Sequence, residues 1–553
     1  MTDITAEPRP DAAAAPDRRG ILLVFVGLMT AMLLSALDQT IFSTALPTIV
    51  GDLDGVDHML WVTTAYILAA TIMMPVYGKL GDLVGRKSLF LGAIGLFMIG
   101  SVVGALSTGM TELIVGRAIQ GLGGGGLMIL SQAVIADIVP ARERGKYMGL
   151  MGGVFALASV IGPLLGGWFT ESVGWQWCMW INVPLGILAM ASVAIFLHPA
   201  PQDREKPKLD IAGMLLIAIA SASLVLVTSW GGGQYEWDSA VILSLIGLTV
   251  VAGIAFVMVE RRAVEPIMPM TLFTERNFTL TTGAGLLMGI AMFGTLAYMP
   301  TYLQMVAQVD ATEAGLLMIP MMGTMLPTSI IVGRVVSRTG RYKWYPVSGA
   351  VVMAAAMYLL STMTYDQPLW LTCAYLAVFG AGLGLMMQTL VLIVQNTFPL
   401  RMVGTATAAN NYFRQIGASL GAAVVGSIFT NNLVDLLSDR VAAGTADLSD
   451  ANSLTPSAVL ELPQEMQDVI VSSYNDALTP VFLYIVPLAL IALVLLMFVK
   501  EVPLRTTLER DEAAASAADG ADMDDAGVDA ESGIAPVLVG AADDARAQEP
   551  ADR

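Results

Sequence analysis

The chain has 553 residues, of which 56% are hydrophobic and 13% charged, and its mean hydropathy is +0.70. That composition excludes an ordinary soluble globular domain, and a formal charge of −18 argues against a nucleic-acid partner. The acid is concentrated: residues 431–478 carry 8 acids and 1 base, residues 500–553 carry 14 acids and 5 bases, and the remainder is nearly neutral.

Residues 1–20, rich in Ala, Pro and Asp, read as a disordered tail, and no cleavable signal peptide precedes Ile21. Apolar runs follow at 21–47, 59–78, 88–107, 111–136, 147–170, 177–197, 210–229, 239–259, 278–305, 313–336, 346–363, 369–396, 404–430 and 479–499. A helix needs roughly 20 such residues to cross a bilayer, so the pattern predicts an all-α polytopic membrane protein with fourteen spans. Most connections are short. The exceptions are 431–478, whose amphipathic stretches Val434 to Leu437 and Val459 to Tyr474 suggest short helices, and an acidic tail over 500–553 that reads as disordered.

Basic residues set the orientation. Of 28 Lys and Arg, 25 fall on one side when the spans alternate from a cytoplasmic N-terminus. Arg117 and Arg414 lie inside spans, and only Arg440 falls on the other side. The positive-inside rule then puts both termini in the cytoplasm. The Ala-, Gly- and Asp-rich tail and Arg-rich loops suit a high-GC bacterium, so a multi-pass protein of a bacterial inner membrane is expected.

An internal repeat divides the chain. The connection after span 2 reads GKLGDLVGRKS (Gly78 to Ser88), and that after span 10 reads GRVVSRTGRYK (Gly333 to Lys343). In both, Gly recurs seven residues on and Arg eight. Matching loops at matching places imply two six-helix halves, 21–200 and 263–499, with spans 7 and 8 inserted over 201–262. Repeated halves around a central site are the architecture of secondary transporters.

Asp38 is the only acid well inside a span. An ionised carboxylate is costly there, so it is functional by default. Arg117 is its natural partner: at 1.5 Å per residue both lie roughly 9–14 Å below the outer surface. In such a pair the charge of Arg117 keeps Asp38 ionised, while desolvation favours its protonation. Arg414 lies near mid-membrane in span 13 with no acid at its depth. It is either a hydrogen-bonded packing residue, with Asn410, Asn411, Gln388, Gln395 and Gln415 as partners, or a group favouring substrates with an anionic or polar head. The 34 Met suit an adaptable apolar cavity as well as ordinary membrane helices.

Other chemistries find little support. GLGGGG (Gly121 to Gly126) matches a dinucleotide pattern but sits inside a span with no strand before it, and GxxxxGK[ST] does not occur. Neither a nucleotide cofactor nor ATP is expected. Cys178 and Cys373 both fall in spans, so no disulfide framework and no metal site is expected.

Six stretches carry a family resemblance. GKLGDLVGRK is similar to the loop 2–3 signature of the major facilitator superfamily. LDQTIFSTALP (Leu37 to Pro47), LIVGRAIQGLGGG (Leu113 to Gly125), ASVIGPLLGG (Ala158 to Gly167), WINVPLG (Trp180 to Gly186) and FRQIGASLG (Phe413 to Gly421) resemble motifs of its fourteen-spanner drug:proton antiporter family. Two positions depart: Ala158 stands where Gly is usual, and Gln176 where Arg is common between two Trp.

The resemblance implies a protein that is not an enzyme and works by rocking two halves about a midplane cavity. It implies proton-coupled export of amphiphilic small molecules from a membrane-embedded monomer. A dedicated exporter of a lipid, siderophore or self-made antibiotic, or a non-transporting sensor, stays open, as does sodium in place of protons. Asp38 and Arg117 would carry coupling. Gly78, Asp82, Gly85, Arg86 and Lys87, with Asp137, would form a latch between the halves. Gly162, Pro163, Gly166 and Gly167 would bend and pack span 5, sealing the cavity or simply packing tightly. Tyr66, Gln120, Phe293, Tyr298, Gln388, Asn410, Asn411 and Arg414 are the polar and aromatic candidates for the substrate cavity.

Overall fold

A computed structural model of the chain describes residues 18–53, 58–197, 209–232, 234–440, 459 and 462–506. Fourteen of its helices are long and apolar enough to cross a membrane. They are α1 (Arg18–Asp52), α2 (Met59–Val84), α3 (Arg86–Ala105), α4 (Met110–Ile138), α5 (Ala141–Trp168), α6 (Asn182–Phe196) and α7 (Ile211–Trp230). Then come α8 (Ala240–Glu260), α9 (Arg276–Leu296), α10 (Ile319–Thr339), α11 (Trp344–Ser361), α12 (Leu369–Thr397), α13 (Leu400–Arg440) and α14 (Gln464–Met497). The loops richest in Lys and Arg share one end of the bundle, termed here the basic face.

Several runs that read as single helices are interrupted. The run at 278–305 breaks at Tyr298, and a helix restarts over Met299–Val306 with Pro300 in its first turn. The run at 313–336 divides into Ala311–Leu317 and α10, whose first turn holds Pro320. Proline lacks the amide that a helix interior needs but fits the first turn, so it restarts a helix at low cost. Trp177–Trp180 is a separate turn ahead of α6, and α5 ends in a π-helical turn over Phe169–Val173.

The largest departure from the sequence expectation is at the end opposite the basic face. The apolar runs there stop at 430 and resume at 479, yet α13 continues to Arg440 and α14 begins at Gln464. The expected separate short helices are instead extensions of two spans. Leu433, Leu437, Ile470, Val471 and Tyr474 are buried in one cluster together with Val459. One stripe per turn suffices to pair two helices but is too sparse to read as a membrane run. Arg440 and Asp476 close the pair at 2.7 Å. Residues 441–458, 460 and 461 of this segment, and 1–17 and 507–553 of the expected tails, lie outside the described residues.

The tail also starts later than its composition suggests. Residues 500–505 are held against the basic face: Lys500 N donates to Asn277 Oδ1 (2.9 Å), Val502 N to the Tyr342 hydroxyl (2.7 Å), and Arg142 N to Arg505 O (3.0 Å).

Two of the buried side-chain clusters lie mainly in one half each. One joins α1 to α6 through Leu28, Phe90, Phe97 and Leu130, and the other joins α9 to α14 through Met288, Met321, Phe379 and Phe482. Helices α7 and α8 pack on each other at the seam. Trp230 of α7 stacks edge-on against Trp61 of α2, while Ser221 of α7 hydrogen-bonds Tyr412 of α13 at 2.8 Å. Helix α7 thereby touches one helix of each half.

Between the halves, α5 lies against α10 and α2 against α13. Their contact is backbone to backbone. A Cβ at Gly333 would overlap the Gly145 carbonyl, and one at Gly78 would overlap Ala408. Small residues permit this approach. Gly333→Val is therefore expected to hold the basic face apart: substrate export should fall at least tenfold while the purified protein keeps its elution profile and melting temperature. Unchanged export would show that this closure is not part of the cycle.

Candidate functional site

The first constellation is the charge pair of the N-terminal half. Asp38 on α1 and Arg117 on α4 are 0% and 1% exposed, and Arg117 Nη1 donates to Asp38 Oδ2 at 2.5 Å. Arg117 also donates to Gln120 Oε1 (2.7 Å) and to Val62 O (3.4 Å). The rings of Phe42 and Tyr66 lie 4.1 Å and 4.4 Å from its guanidinium carbon, a cation–π sandwich.

The other carboxylate oxygen is also engaged. Asp38 Oδ1 accepts from Gln120 Nε2 (2.6 Å) and Asn182 Nδ2 (2.9 Å), and both amides also donate to Ser101 Oγ (2.8 and 3.2 Å). Asp38 is thus an enclosed carboxyl group with an arginine and two amides as donors. Ionised, it is stabilised only while all its partners stay in place. Gln120 and Tyr66, expected in the substrate cavity, belong to this enclosed cluster; they are 0% and 1% exposed. Asn182 and Ser101 escaped the sequence reading, although Asn182 stands inside WINVPLG. A polar residue in an apolar motif was the available signal.

The second constellation closes the basic face. Asp82 accepts from Arg86 Nη2 (2.7 Å), from the amides of Gly404 (3.1 Å) and Thr405 (2.7 Å), and from Thr405 Oγ1 (2.8 Å). Arg86 donates further to Asp137, to Ala133 O (2.7 Å) and to Leu400 O (3.1 Å). A carboxylate of one half is thereby seated at the N-terminal turns of α13 in the other, where the helix dipole favours negative charge. Gly85, at φ +102°, makes the turn between α2 and α3, a backbone conformation in which glycine carries no penalty. Lys87, expected in the same group, is elsewhere: its Nζ donates to Ala194 O (2.7 Å) near the C-terminus of α6. It caps a helix end and does not join the two halves.

Polar contacts across the seam continue from this face to mid-span. Arg142 donates to the Ser337 and Arg338 carbonyls (3.3 and 3.1 Å), and Ser329 Oγ to Gly149 O (3.3 Å). Gln132 of α4 accepts from Asn411 of α13 on its side chain (2.9 Å) and from Gln395 of α12 on its carbonyl (3.1 Å). Arg414 bonds Asn411 Oδ1 (2.7 Å) and touches Met128 Sδ (3.8 Å).

The other expected cavity residues are dispersed. Gln388 lines a small gap between α5, α10 and α12 with Ser329 and Thr389. Asn410 bonds Thr282 of α9 (3.2 Å), and the Tyr298 hydroxyl bonds Ala422 O (3.1 Å), both within the C-terminal half. Phe293 is partly buried on α9. In α5, a Cβ at Gly162 or Gly166 would overlap Thr40 or Thr44 of α1, which brings these helices into close contact around Pro163. Gly167 has open space beside it and takes no part.

Comparison with known proteins bears on this geometry. The family model described as Major Facilitator Superfamily matches residues 28–422. The chain belongs to the major facilitator superfamily. An uncharacterised MFS-type transporter of Mycobacterium tuberculosis is 42% identical over 491 residues, covering 89% of this chain and 71% of that protein. The multidrug transporter protein MdtP of Bacillus subtilis is 36% identical over 518 residues, 89% of this chain and 95% of its own. Among solved structures, the proton:xylose symporter XylE matches with a TM-score of 0.59 at 15% identity, over 90% of this chain and 99% of that one. At that identity the likeness shows the fold: a major facilitator bundle of two six-helix halves with two helices added. It is a multi-pass membrane transporter and not an enzyme.

Proposed function

We propose that the chain is a proton-coupled antiporter that exports hydrophobic or amphiphilic small molecules across a bacterial inner membrane, with both termini in the cytoplasm. One observation carries the reading: Asp38, a carboxylate within a membrane-spanning run, is enclosed and held by an arginine and two amides. All of these groups lie in the N-terminal half, so in this reading the rocking of the halves shifts the packing of α1, α4 and α6 and loosens the donors, which couples proton movement to conformation. The names of the relatives, a multidrug transporter and the multidrug resistance protein 3 of Bacillus subtilis at 34% identity, support the export direction and the substrate class.

With the basic face in the cytoplasm, Asp82 and Arg86 act as the cytoplasmic latch, and the structure is the member of the cycle with that path shut. Everted vesicles from cells expressing the full chain test the reading. A fluorescent amphiphile should accumulate when the lumen is acid, and a protonophore should abolish the accumulation. Accumulation that ignores the proton gradient and follows sodium would replace the coupling ion. No accumulation of any amphiphile by folded protein would defeat the function.

A further inference from the structure

We propose that Arg414 is the receptor for an anionic head group, a carboxylate, sulfonate or phosphate, on the transported molecule. The inference rests on the transport reading above and narrows its substrate class.

The two arginines within spans, Arg117 buried and Arg414 half-buried, are provided for differently. Arg117 has a carboxylate in contact, three acceptors and two aromatic rings. Arg414 has one oxygen acceptor, Asn411 Oδ1, and a thioether sulfur at 3.8 Å, both reached from the same nitrogen. No ion pair is formed by Arg414 among the described residues. A guanidinium has five N–H donors, so the Nε and Nη1 donors remain unspent. Its surroundings add to the excess. Asn411 already gives its amide hydrogens to Gln132 Oε1 and Thr407 O. Gln132 Nε2 is buried with no acceptor, on a side chain that is 0% exposed. Among the described residues, the locality has donors to spare and one positive charge with no carboxylate paired to it.

Position makes this a substrate site. Arg414 stands at mid-span on α13, faces Met128 of α4 across the seam, and keeps part of its surface accessible. It lies above the contacts that close the basic face. By contrast, Asp38 is enclosed with both oxygens engaged, so it has no vacant position for a cationic head in this conformation. Of Asp38, Arg117 and Arg414, only Arg414 combines polar atoms without a partner with the lack of an ion pair among the described residues. An anionic head would offset the Arg414 charge and accept the free N–H donors, and a cationic head would be repelled.

The test uses two dansyl amphiphiles with the same hexyl chain, one ending in a sulfonate and the other in trimethylammonium. Binding to the purified full-length protein is followed by dansyl fluorescence, and transport is followed separately in proteoliposomes. The wild type should bind the sulfonate at least tenfold more tightly. Arg414→Gln should lose that preference, and Arg414→Lys should keep part of it. Equal affinity of the wild type for both heads overturns the proposal, even if the Gln variant does not fold. So does a sulfonate affinity that survives Arg414→Gln, or binding of neither probe. Binding with the expected preference but no gradient-driven transport would leave the anion site standing and defeat the antiport reading.

Discussion

Asp38→Asn is expected to abolish gradient-driven export, with dye accumulation in everted vesicles falling at least a hundredfold. The substitution keeps size and shape but removes the titrating group. It also leaves Arg117, 1% exposed, without its counter-charge and sets an Asn amide against the donors of Gln120 and Asn182. Removing one partner of a buried ion pair costs about 3–5 kcal/mol, so a lower melting temperature should accompany the loss. The two consequences can be separated. Asp38→Asn combined with Arg117→Gln removes the stranded charge and should recover most of the thermal stability, while export stays absent. Recovery of gradient-driven export in the double variant would show that the pair is structural and that coupling lies elsewhere.

Asp82→Asn should open the basic face. Its carboxylate holds Arg86 in its own half and three donors of Gly404 and Thr405 in the other. A hydrogen bond to a charged group contributes about 1.5–3 kcal/mol, and a charge at a helix N-terminus about 0.3–1 kcal/mol. Loss of roughly 2–4 kcal/mol from the closed state alone shifts the closed-to-open ratio by about 30- to 1,000-fold, at tenfold per 1.4 kcal/mol. Spin labels at the exposed Lys146 and Arg341 positions, with Cys178 and Cys373 replaced by Ala, would report this opening. The wild type should give one short distance and Asp82→Asn a dominant longer one. Lys87→Ala should match the wild type, because Lys87 hydrogen-bonds Ala194 O of α6, within its own half. Identical distributions in all three proteins would mean that the backbone packing of Gly145 on Gly333 suffices for closure.

The linear chain determined the bilayer-crossing architecture because hydropathy and charge are local and additive. Fourteen apolar runs and the separation of 28 basic residues needed no knowledge of contacts. Asp38 and Arg117 were legible for the same reason: an ionisable group in an apolar run is conspicuous wherever it packs. Residues whose importance lies in their neighbours were not legible. Asn182 and Ser101 complete the shell of Asp38 from 144 and 63 positions away along the chain, and Gly404 and Thr405 receive Asp82 from the other half. Gln120 and Tyr66 carry the residue types of a cavity wall, and packing alone made them supports of a buried pair. The extensions of α13 and α14 stayed hidden because an amphipathic stripe declares itself only against the surface it covers. Tertiary structure also decided that Arg117 has a carboxylate partner while Arg414 has none among the described residues. Charge balance inside a membrane protein depends on which helices meet, and that is a property of the fold.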